Sequence, residues 1–212
     1  MKIRVLLADD HAVVRYGLRA LLELSGFQVV GEAGDGREAL RIAEECQPDV
    51  AILDVAMPGL NGIDAAAVLR ERCPHTRIVI LSMHSDAEHV HRAFAAGASG
   101  YLLKGSASDE IVAAARAVLQ GRRYLSRELA HIDRARAERS DEPRPLDSLS
   151  LRERQVLQLV VEGHSSARIA ALVNLSPKSV DTYRSRLMKK LGVSDVPALV
   201  KFAIQHGLTP AE

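Results

Sequence analysis

The stretch that decides the fold of the first half of this chain is Val50-Ala51-Ile52-Leu53-Asp54-Val55-Ala56-Met57-Pro58-Gly59-Leu60-Asn61-Gly62. A short apolar run reaches the carboxylate of Asp54, and a turn that contains Pro and Gly follows at once. An uninterrupted apolar run of this length predicts a strand that is buried on both faces of a parallel sheet. Asp54 then lies at the carboxyl end of its strand, which is the edge where ligands bind in open α/β sheets. An isolated Asp there would only cap a loop, so its meaning depends on the rest of the chain.

Strand-like and helix-like segments alternate around this stretch up to about Gly121. The predicted strands are residues 3–8, 27–33, 50–53, 77–81 and 100–103, and the predicted helices are residues 12–24, 37–46, 63–72, 88–96 and 111–120. Strands that alternate with helices need right-handed crossovers that cover both sheet faces. The pattern therefore predicts an α/β domain with a doubly wound, five-stranded parallel sheet in the order 2-1-3-4-5.

Polar side chains follow four of these predicted strands, and they are Asp9, Asp10, Asp54, Ser82 and Lys104. In the order 2-1-3-4-5 these strand ends are neighbours, so the side chains converge in one cleft. Carboxylates packed together repel one another unless a cation lies among them, and Mg²⁺ suits one or two carboxylates combined with phosphate oxygens and water. A carboxylate nucleophile, a metal, a lysine and a hydroxyl donor together indicate a site for phosphoryl transfer.

These motifs, in matching order, resemble the receiver domain of bacterial two-component response regulators from end to end. The resemblance implies that Asp54 accepts a phosphoryl group from a histidine kinase. It also implies that Asp10, Asp54 and the backbone carbonyl of Ala56 hold Mg²⁺, and that Asp9 reaches the ion through water.

The same resemblance gives roles to Ser82 and Lys104, which would contact the phosphoryl oxygens, and to Tyr101, which would be the switch aromatic residue. Phosphorylation adds roughly −1.5 to −2 charges and new acceptor oxygens. When Ser82 moves toward them, the ring of Tyr101 turns inward and biases a two-state surface for dimerisation or partner binding.

The pattern changes between residues 122 and 148. Residues 126–138 carry a thin apolar stripe that could continue as a charged helix, and residues 139–145 are highly charged and interrupted by proline. This composition predicts a solvated, partly helical linker. The predicted domains are therefore residues 1–121 and residues 149–212, with residues 122–148 between them.

Scattered histidines and cysteines raise the question of a second metal site. The histidines in question are His84, His89, His91 and His131. The sequence indicates no Cys or acidic partner at ligand spacing beside them, so they are predicted to be solvated histidines on helix faces. Cys46 and Cys73 have no CxxC spacing and are predicted to be buried or idle thiols.

The second domain is predicted to contain four short helices, capped by Ser150, Ser165, Ser176 and Ser194. Pro177 follows Ser176 at the first helical position, which supports the predicted start of the third helix. The second and third helices, joined by residues 173–176, predict a helix-turn-helix. The third helix carries Lys178, Arg184, Arg186, Lys189 and Lys190 against only Asp181. This charge pattern is typical of a recognition helix, and a merely solvated basic helix is the alternative.

Residues 151–157, 169–170, 176–183 and 190–193 resemble the LuxR-type DNA-binding domain, and a receiver joined to it resembles a response regulator of the NarL/FixJ class. By position, the residues that would face the DNA groove are Lys178, Asp181, Thr182 and Ser185. Those that would lie near phosphates are Tyr183, Arg184, Arg186 and Lys189, and those that would contact a partner chain are Val196, Leu199 and Val200. Many family members have a basic residue where this chain has Asp181. A carboxylate there cannot donate to guanine and could accept from cytosine.

The sequence of 212 residues has a net charge of +1 and no apolar run long enough to cross a membrane, which predicts a cytoplasmic protein. The two resemblances imply that it is a transcription regulator. It would dimerise on promoter DNA or when phosphorylated, and its only catalysis would be slow phosphoryl transfer to and from Asp54. A phosphohydrolase would need an acid or base beside Asp54, where Val55 and Ala56 are apolar. A constitutive DNA-binding dimer would have no use for the intact acidic cluster.

Overall fold

The computed structural model of the chain describes residues 2–106, 108–130, 132, 145–206 and 208. The chain divides into two compact units, and the division falls between residues 139 and 140. Because residues 133–144 lie outside the described residues, the domain boundaries stay a prediction. The cysteines Cys46 and Cys73 are both free, and Cys73 is buried.

The first unit is a parallel sheet with helices between its strands. Its strands are β1 (Arg4–Ala8), β2 (Gln28–Ala33), β3 (Val50–Asp54), β4 (Arg77–Ser82), β5 (Gly100–Leu103) and β6 (Tyr124–Leu125), and its helices are α1 (Ala12–Leu24), α2 (Gly36–Cys46), α3 (Gly62–Arg72), α4 (Ala87–Ala95) and α5 (Ser108–Leu119). The strand order is β2-β1-β3-β4-β5-β6, and every neighbouring pair is parallel. The predicted doubly wound sheet is confirmed, with one additional strand.

The additional strand β6 lies within residues 122–148, which were predicted to form a linker. Tyr124 and Leu125 pair with Gly100 and Tyr101 of β5, and Leu129 and Ile132 are buried in the core of this unit. A charged helix was predicted over residues 126–138. Arg127–Leu129 forms a 3₁₀ turn, residues 130 and 132 are helical, and residues 131 and 133–138 lie outside the described residues. A strand of two residues is too short to produce a period-2 pattern, so the sequence did not reveal it.

The core lies on both faces of the central strand β3, whose five residues are all buried. Leu53 packs with Leu6 and Ile80 on one face, and Ile52 packs with Leu7 and Val79 on the other. Successive side chains of a strand point to opposite faces, so burial of both sets explains the uninterrupted apolar run. The sheet is therefore covered by helices on both sides, as a parallel sheet requires.

The start of α3 lies very close to the end of β3, and Gly62 makes this approach possible. A Cβ atom at Gly62 would stand 2.1 Å from the backbone oxygen of Asp54. Asn61 caps the helix, since its side chain accepts a hydrogen bond from the backbone N–H of Asp64. The backbone of Asp54 is thus held by the strand on one side and by a closely packed helix start on the other.

The second unit contains a 3₁₀ turn (Pro145–Ser148) and the helices α6 (Leu151–Val161), α7 (Ser166–Val173), α8 (Pro177–Leu191) and α9 (Val196–Gln205). Ser150, Ser165 and Ser176 cap α6, α7 and α8 as predicted. The predicted cap of the last helix is wrong: Asp195, and not Ser194, accepts the hydrogen bond from Ala198 N–H. Ser and Asp are both favourable capping residues, so sequence alone does not choose between adjacent candidates.

Candidate functional site

A cluster of buried carboxylates lies at the carboxyl edge of the sheet. Asp9 and Asp54 are each 1% exposed, and Asp54 is the last residue of β3. The ammonium nitrogen of Lys104 lies 2.8 Å from Asp9 Oδ2 and 2.8 Å from Asp54 Oδ2, so one cation bridges two carboxylates from different strand ends. Three of the residues predicted to converge, Asp9, Asp54 and Lys104, therefore meet at this edge.

Burial and charge act in opposite directions in this cluster. Burial raises the pKa of Asp54, and the hydrogen bond from Lys104 offsets this only in part. Burial alone would lower the pKa of Lys104, but the bonds to Asp54 and Asp9 outweigh it and raise that pKa. The site is therefore a desolvated carboxylate pair that depends on a nearby positive charge.

The cluster can also accept a metal ion. Oxygen or nitrogen ligand atoms of Asp9, Asp10, His11 and Asp54 all lie within 4.8 Å of one another. Asp10 is exposed, and its Oδ1 lies 2.6 Å from the ring nitrogen Nδ1 of His11. The sequence analysis missed His11, although its position directly after the Asp pair was a signal. Ala56 lies at the rim, where its backbone N–H donates to Asp54 Oδ1 at 3.2 Å.

Ser82 and Tyr101 meet at the loop that follows β4. Ser82 is 0% exposed, and its Oγ accepts a hydrogen bond from the backbone N–H of His84 at 3.0 Å. The hydroxyl of Tyr101 donates to the backbone oxygen of His84 at 2.8 Å, and the ring is fully buried. Burial raises the pKa of this phenol. Tyr101 therefore has the inward orientation, and His84 joins it to Ser82 through backbone groups.

One of the histidines predicted to be solvated, His89, is buried. His89 is 3% exposed, its Nδ1 lies 2.7 Å from Asp86 Oδ2, and its ring stacks on that of His84 with centroids 4.1 Å apart. This acidic partner three residues earlier, which the sequence prediction did not include, also caps α4 by accepting a hydrogen bond from His89 N–H. His131 lies outside the described residues.

Helix α8 of the second unit presents most of the residues predicted to contact DNA. The exposed ones are Lys178, Asp181, Thr182, Ser185, Arg186 and Lys189, while Tyr183 and Arg184 are partly buried. Ser166 of α7 donates to Asp181 Oδ1 at 2.7 Å, and Arg184 Nη1 donates to Ser166 Oγ at 3.4 Å. Asp181 therefore also ties the two helices of the helix-turn-helix together.

Lys190 differs from the other basic residues of α8. Its Nζ lies 2.7 Å from Glu153 Oε2 and donates to the backbone oxygen of Ser148 at 3.0 Å. Burial would raise the pKa of Glu153, but the bonds from Lys190 and Ser150 lower it overall. Lys190 thus stabilises the fold of the second unit through this ion pair, although its side chain is also exposed.

The predicted dimer contact on α9 needs a correction. Leu199 is 0% exposed and lies in the core of the second unit, so its side chain is not available to a partner chain. Val196 packs partly on the same core, and Val200 is partly exposed. Ile204, which the sequence analysis did not single out, is 41% exposed, and it follows Val200 by four residues on the same helix face.

Comparison with known proteins agrees with both halves of this description. Residues 5–116 match the response regulator receiver domain, and residues 147–203 match the bacterial regulatory proteins of the luxR family. Response regulator GacA of Pseudomonas aeruginosa is 38% identical over 214 residues, which cover 99% of this chain and 99% of GacA.

Two solved structures are similar as well. A two-component response regulator of the LuxR family from Aurantimonas sp. SI85-9A1 is 41% identical with a TM-score of 0.62, and the match covers 65% of this chain and 100% of that one. The two-component response regulator RcsB in complex with DNA is 26% identical with a TM-score of 0.59, over 95% of this chain and 98% of RcsB.

A parallel sheet with an acidic cluster at its edge, joined to a helix-turn-helix unit, defines a response regulator with a DNA-binding output. The chain belongs to the two-component response regulators of the NarL/FixJ class, which join a receiver domain to a LuxR-type DNA-binding domain. Such proteins are DNA-binding transcription regulators and not enzymes in the usual sense. Among the helices that the structure describes, none has the length and apolar character to span a membrane.

Proposed function

We propose that this protein is a transcription factor whose dimerisation and binding to promoter DNA are controlled by phosphorylation of Asp54 by a histidine kinase. The observation that carries the proposal is the position of Lys104, whose Nζ lies 2.8 Å from the Oδ2 atoms of both Asp9 and Asp54. A cation held against a buried carboxylate can stabilise the oxygens of an incoming phosphoryl group. Slow transfer to and from Asp54 is then the only chemistry the protein performs.

The acidic cluster supports Mg²⁺ as the cofactor. Asp10 and Asp54, with the backbone carbonyl of Ala56, would hold the ion, and Asp9 would act on it through water. All three carboxylates supply ligand oxygens within one small region, and oxygen ligands are those that Mg²⁺ prefers. When bound, the ion neutralises negative charge on the phosphoryl group and the carboxylates.

Ser82, Lys104 and Tyr101 supply the response to phosphorylation. A phosphoryl group on Asp54 attracts the Ser82 hydroxyl and the Lys104 ammonium, because it brings new acceptor oxygens. Ser82 Oγ currently accepts from His84 N–H, and Tyr101 OH donates to His84 O. Motion of Ser82 therefore acts directly on the residue that holds the Tyr101 hydroxyl, which biases the ring and the nearby surface.

In the second unit, α8 would lie in the major groove of DNA. Lys178, Asp181, Thr182 and Ser185 are proposed to contact base edges, and Tyr183, Arg184, Arg186 and Lys189 to contact phosphates. Exposure of Arg186 and Lys189 on α8 supports the phosphate role. Two chains would meet on DNA through the exposed side of α9, and Val200 with Ile204 replaces the buried Leu199 in that role.

Phosphorylation of the purified full chain by a small phosphodonor such as acetyl phosphate, in the presence of Mg²⁺, tests the proposal. We expect one phosphoryl group per chain, located at Asp54 by peptide mass spectrometry, and a rise in dimer content measured by light scattering. The Asp54→Asn variant should show neither change. Labelling at another residue, or dimerisation of Asp54→Asn by the phosphodonor, would contradict the acceptor assignment.

A further inference from the structure

A second group of potential metal ligands lies outside the acidic cluster, on the loop between β4 and α4 and in the first turn of α4. His84, Asp86 and His89 each offer a ligand atom, and these atoms lie within 4.8 Å of one another. His89 is nine-tenths or more buried, His84 is partly buried, and Asp86 is exposed. An ion could therefore enter from the solvent at Asp86 and reach the two imidazoles behind it.

The environment of His89 is unusual for a buried histidine. Its Nδ1 lies 2.7 Å from Asp86 Oδ2, and its Nε2 is buried without a hydrogen-bond partner. A neutral imidazole has one N–H and one lone pair, so in either tautomer a nitrogen lone pair is left for a cation.

From this arrangement we infer that His84, Asp86 and His89 form a binding site for Zn²⁺ that is separate from the acidic cluster. Two imidazoles and one carboxylate with a fourth position open to water form a common zinc ligand set. Imidazole nitrogen favours zinc and similar transition metals, whereas Mg²⁺ favours oxygen ligands.

Binding requires the ring of His84 to turn. The two rings are stacked at an interplanar angle of 8° with centroids 4.1 Å apart, so their in-plane lone pairs run nearly parallel and do not meet at one point. One imidazole must rotate to bring its nitrogen toward the ion. His84 is the less buried ring and lies on a loop, and the nitrogen of His89 is already next to Asp86.

Rotation of His84 would affect the switch residues Ser82 and Tyr101, and this effect rests on the proposed function. The backbone N–H of His84 donates to Ser82 Oγ, and its backbone oxygen accepts from Tyr101 OH. Zinc bound to the side chain would pull on the same residue whose backbone holds both contacts. The site would then be an input for metal availability, acting on the Ser82–Tyr101 pair without touching Asp54.

Zinc binding to the full chain, measured by equilibrium dialysis in a large excess of Mg²⁺ to occupy the acidic cluster, tests the site itself. We expect one zinc ion per chain in the wild type, and an affinity at least about tenfold lower in His84→Gln and in Asp86→Asn. Asn also caps helices well, so Asp86→Asn keeps the start of α4. His89→Gln should lose binding too, with thermal unfolding measured in parallel because this residue is buried.

Two matched histidine variants serve as controls. His75→Gln alters an exposed histidine, and His11→Gln alters the histidine beside the acidic cluster; both should bind zinc as the wild type does. Loss of zinc only in His11→Gln would place the ion in the acidic cluster and overturn the inference. Equal binding by all variants would overturn it as well, since the ion would then use other ligands such as Cys46.

Histidine ring ¹⁵N resonances give a second readout that does not depend on phosphorylation. Zinc should shift nitrogen signals of His84 and His89 together, and leave those of His75 unchanged. Failure of Asp54 phosphorylation would not affect this result, so the zinc site and the proposed function can fail separately. Absence of any shift at His84 and His89 under saturating zinc would contradict the site.

Discussion

The acidic cluster of the first unit and the basic face of α8 differ in how their charged side chains are placed. Asp9, Asp54 and Lys104 come from three different strand ends, are buried or nearly so, and contact one another at 2.8 Å. Lys178, Arg186 and Lys189 come from one helix and are exposed. Charges in a desolvated site interact strongly, whereas exposed charges are screened by water and salt. A substitution in the acidic cluster should therefore have a large and specific effect on function. A substitution on the exposed face of α8 should have a small effect that adds to those of its neighbours.

The largest effect is expected from Lys104→Gln. This change leaves the buried carboxylates of Asp9 and Asp54 without their shared cation, and it removes a donor to the phosphoryl oxygens. Loss of one such preorganised charge costs about 10²–10³ in rate. We expect a decrease of that size in the rate of Asp54 phosphorylation by acetyl phosphate. Lys201→Gln, the same change on exposed α9, should react at the wild-type rate, and a normal rate in Lys104→Gln would refute the role of the lysine.

A medium effect is expected at Gly62, which tests how tightly the cluster is held. In Gly62→Ala the new Cβ would stand 2.1 Å from the backbone oxygen of Asp54, and the resulting shift should destabilise the first unit by about 1–3 kcal/mol. Gly17 in α1 is the matched control, since a Cβ there meets nothing within 4 Å and Ala in a helix is favoured over Gly by about 0.5–1 kcal/mol. The free energy of unfolding in urea should therefore fall in Gly62→Ala and rise in Gly17→Ala. Equal shifts in the two variants would contradict the close approach at Gly62.

The smallest effect is expected on α8, where Arg186 and Lys190 separate binding from folding. Arg186→Ala should weaken binding to all DNA sequences and reduce the slope of log affinity against log salt by about 0.9, the value for one phosphate contact. Lys190→Gln should leave that slope unchanged and lower the stability of the second unit by about 0.2–1 kcal/mol, because Lys190 is paired with Glu153. The reverse pattern would show that the two residues have been assigned incorrectly.

The same contrast explains what sequence alone could predict. Asp9, Asp54, Ser82 and Lys104 were predictable because each follows an apolar strand, and the strand order brings their ends together whatever the details of packing. His11 was missed, although it directly follows the Asp pair. The Asp86–His89 pair was missed too, because its burial depends on how α4 packs, and a three-residue spacing on a helix is common without any such contact.

Helix faces were harder to predict than strand ends. Val196, Leu199 and Val200 are all apolar, and the helical period does not say which of them point into the core when apolar residues occur on both sides. Leu199 is buried and Ile204 is exposed, so the exposed apolar side chains of α9 are not the set that the sequence predicted. The short strand β6 was missed for a different reason, since its position comes from pairing with β5 and not from its own sequence.

The most direct test of the central claim is the affinity of the full chain for a DNA site selected from random sequence, measured by fluorescence anisotropy with and without acetyl phosphate and Mg²⁺. We predict that the phosphodonor tightens binding by about 5- to 150-fold, the usual range for coupling between two sites, and that Asp54→Asn binds with one affinity under both conditions. Equal affinity of the wild type with and without phosphorylated Asp54 would contradict the account.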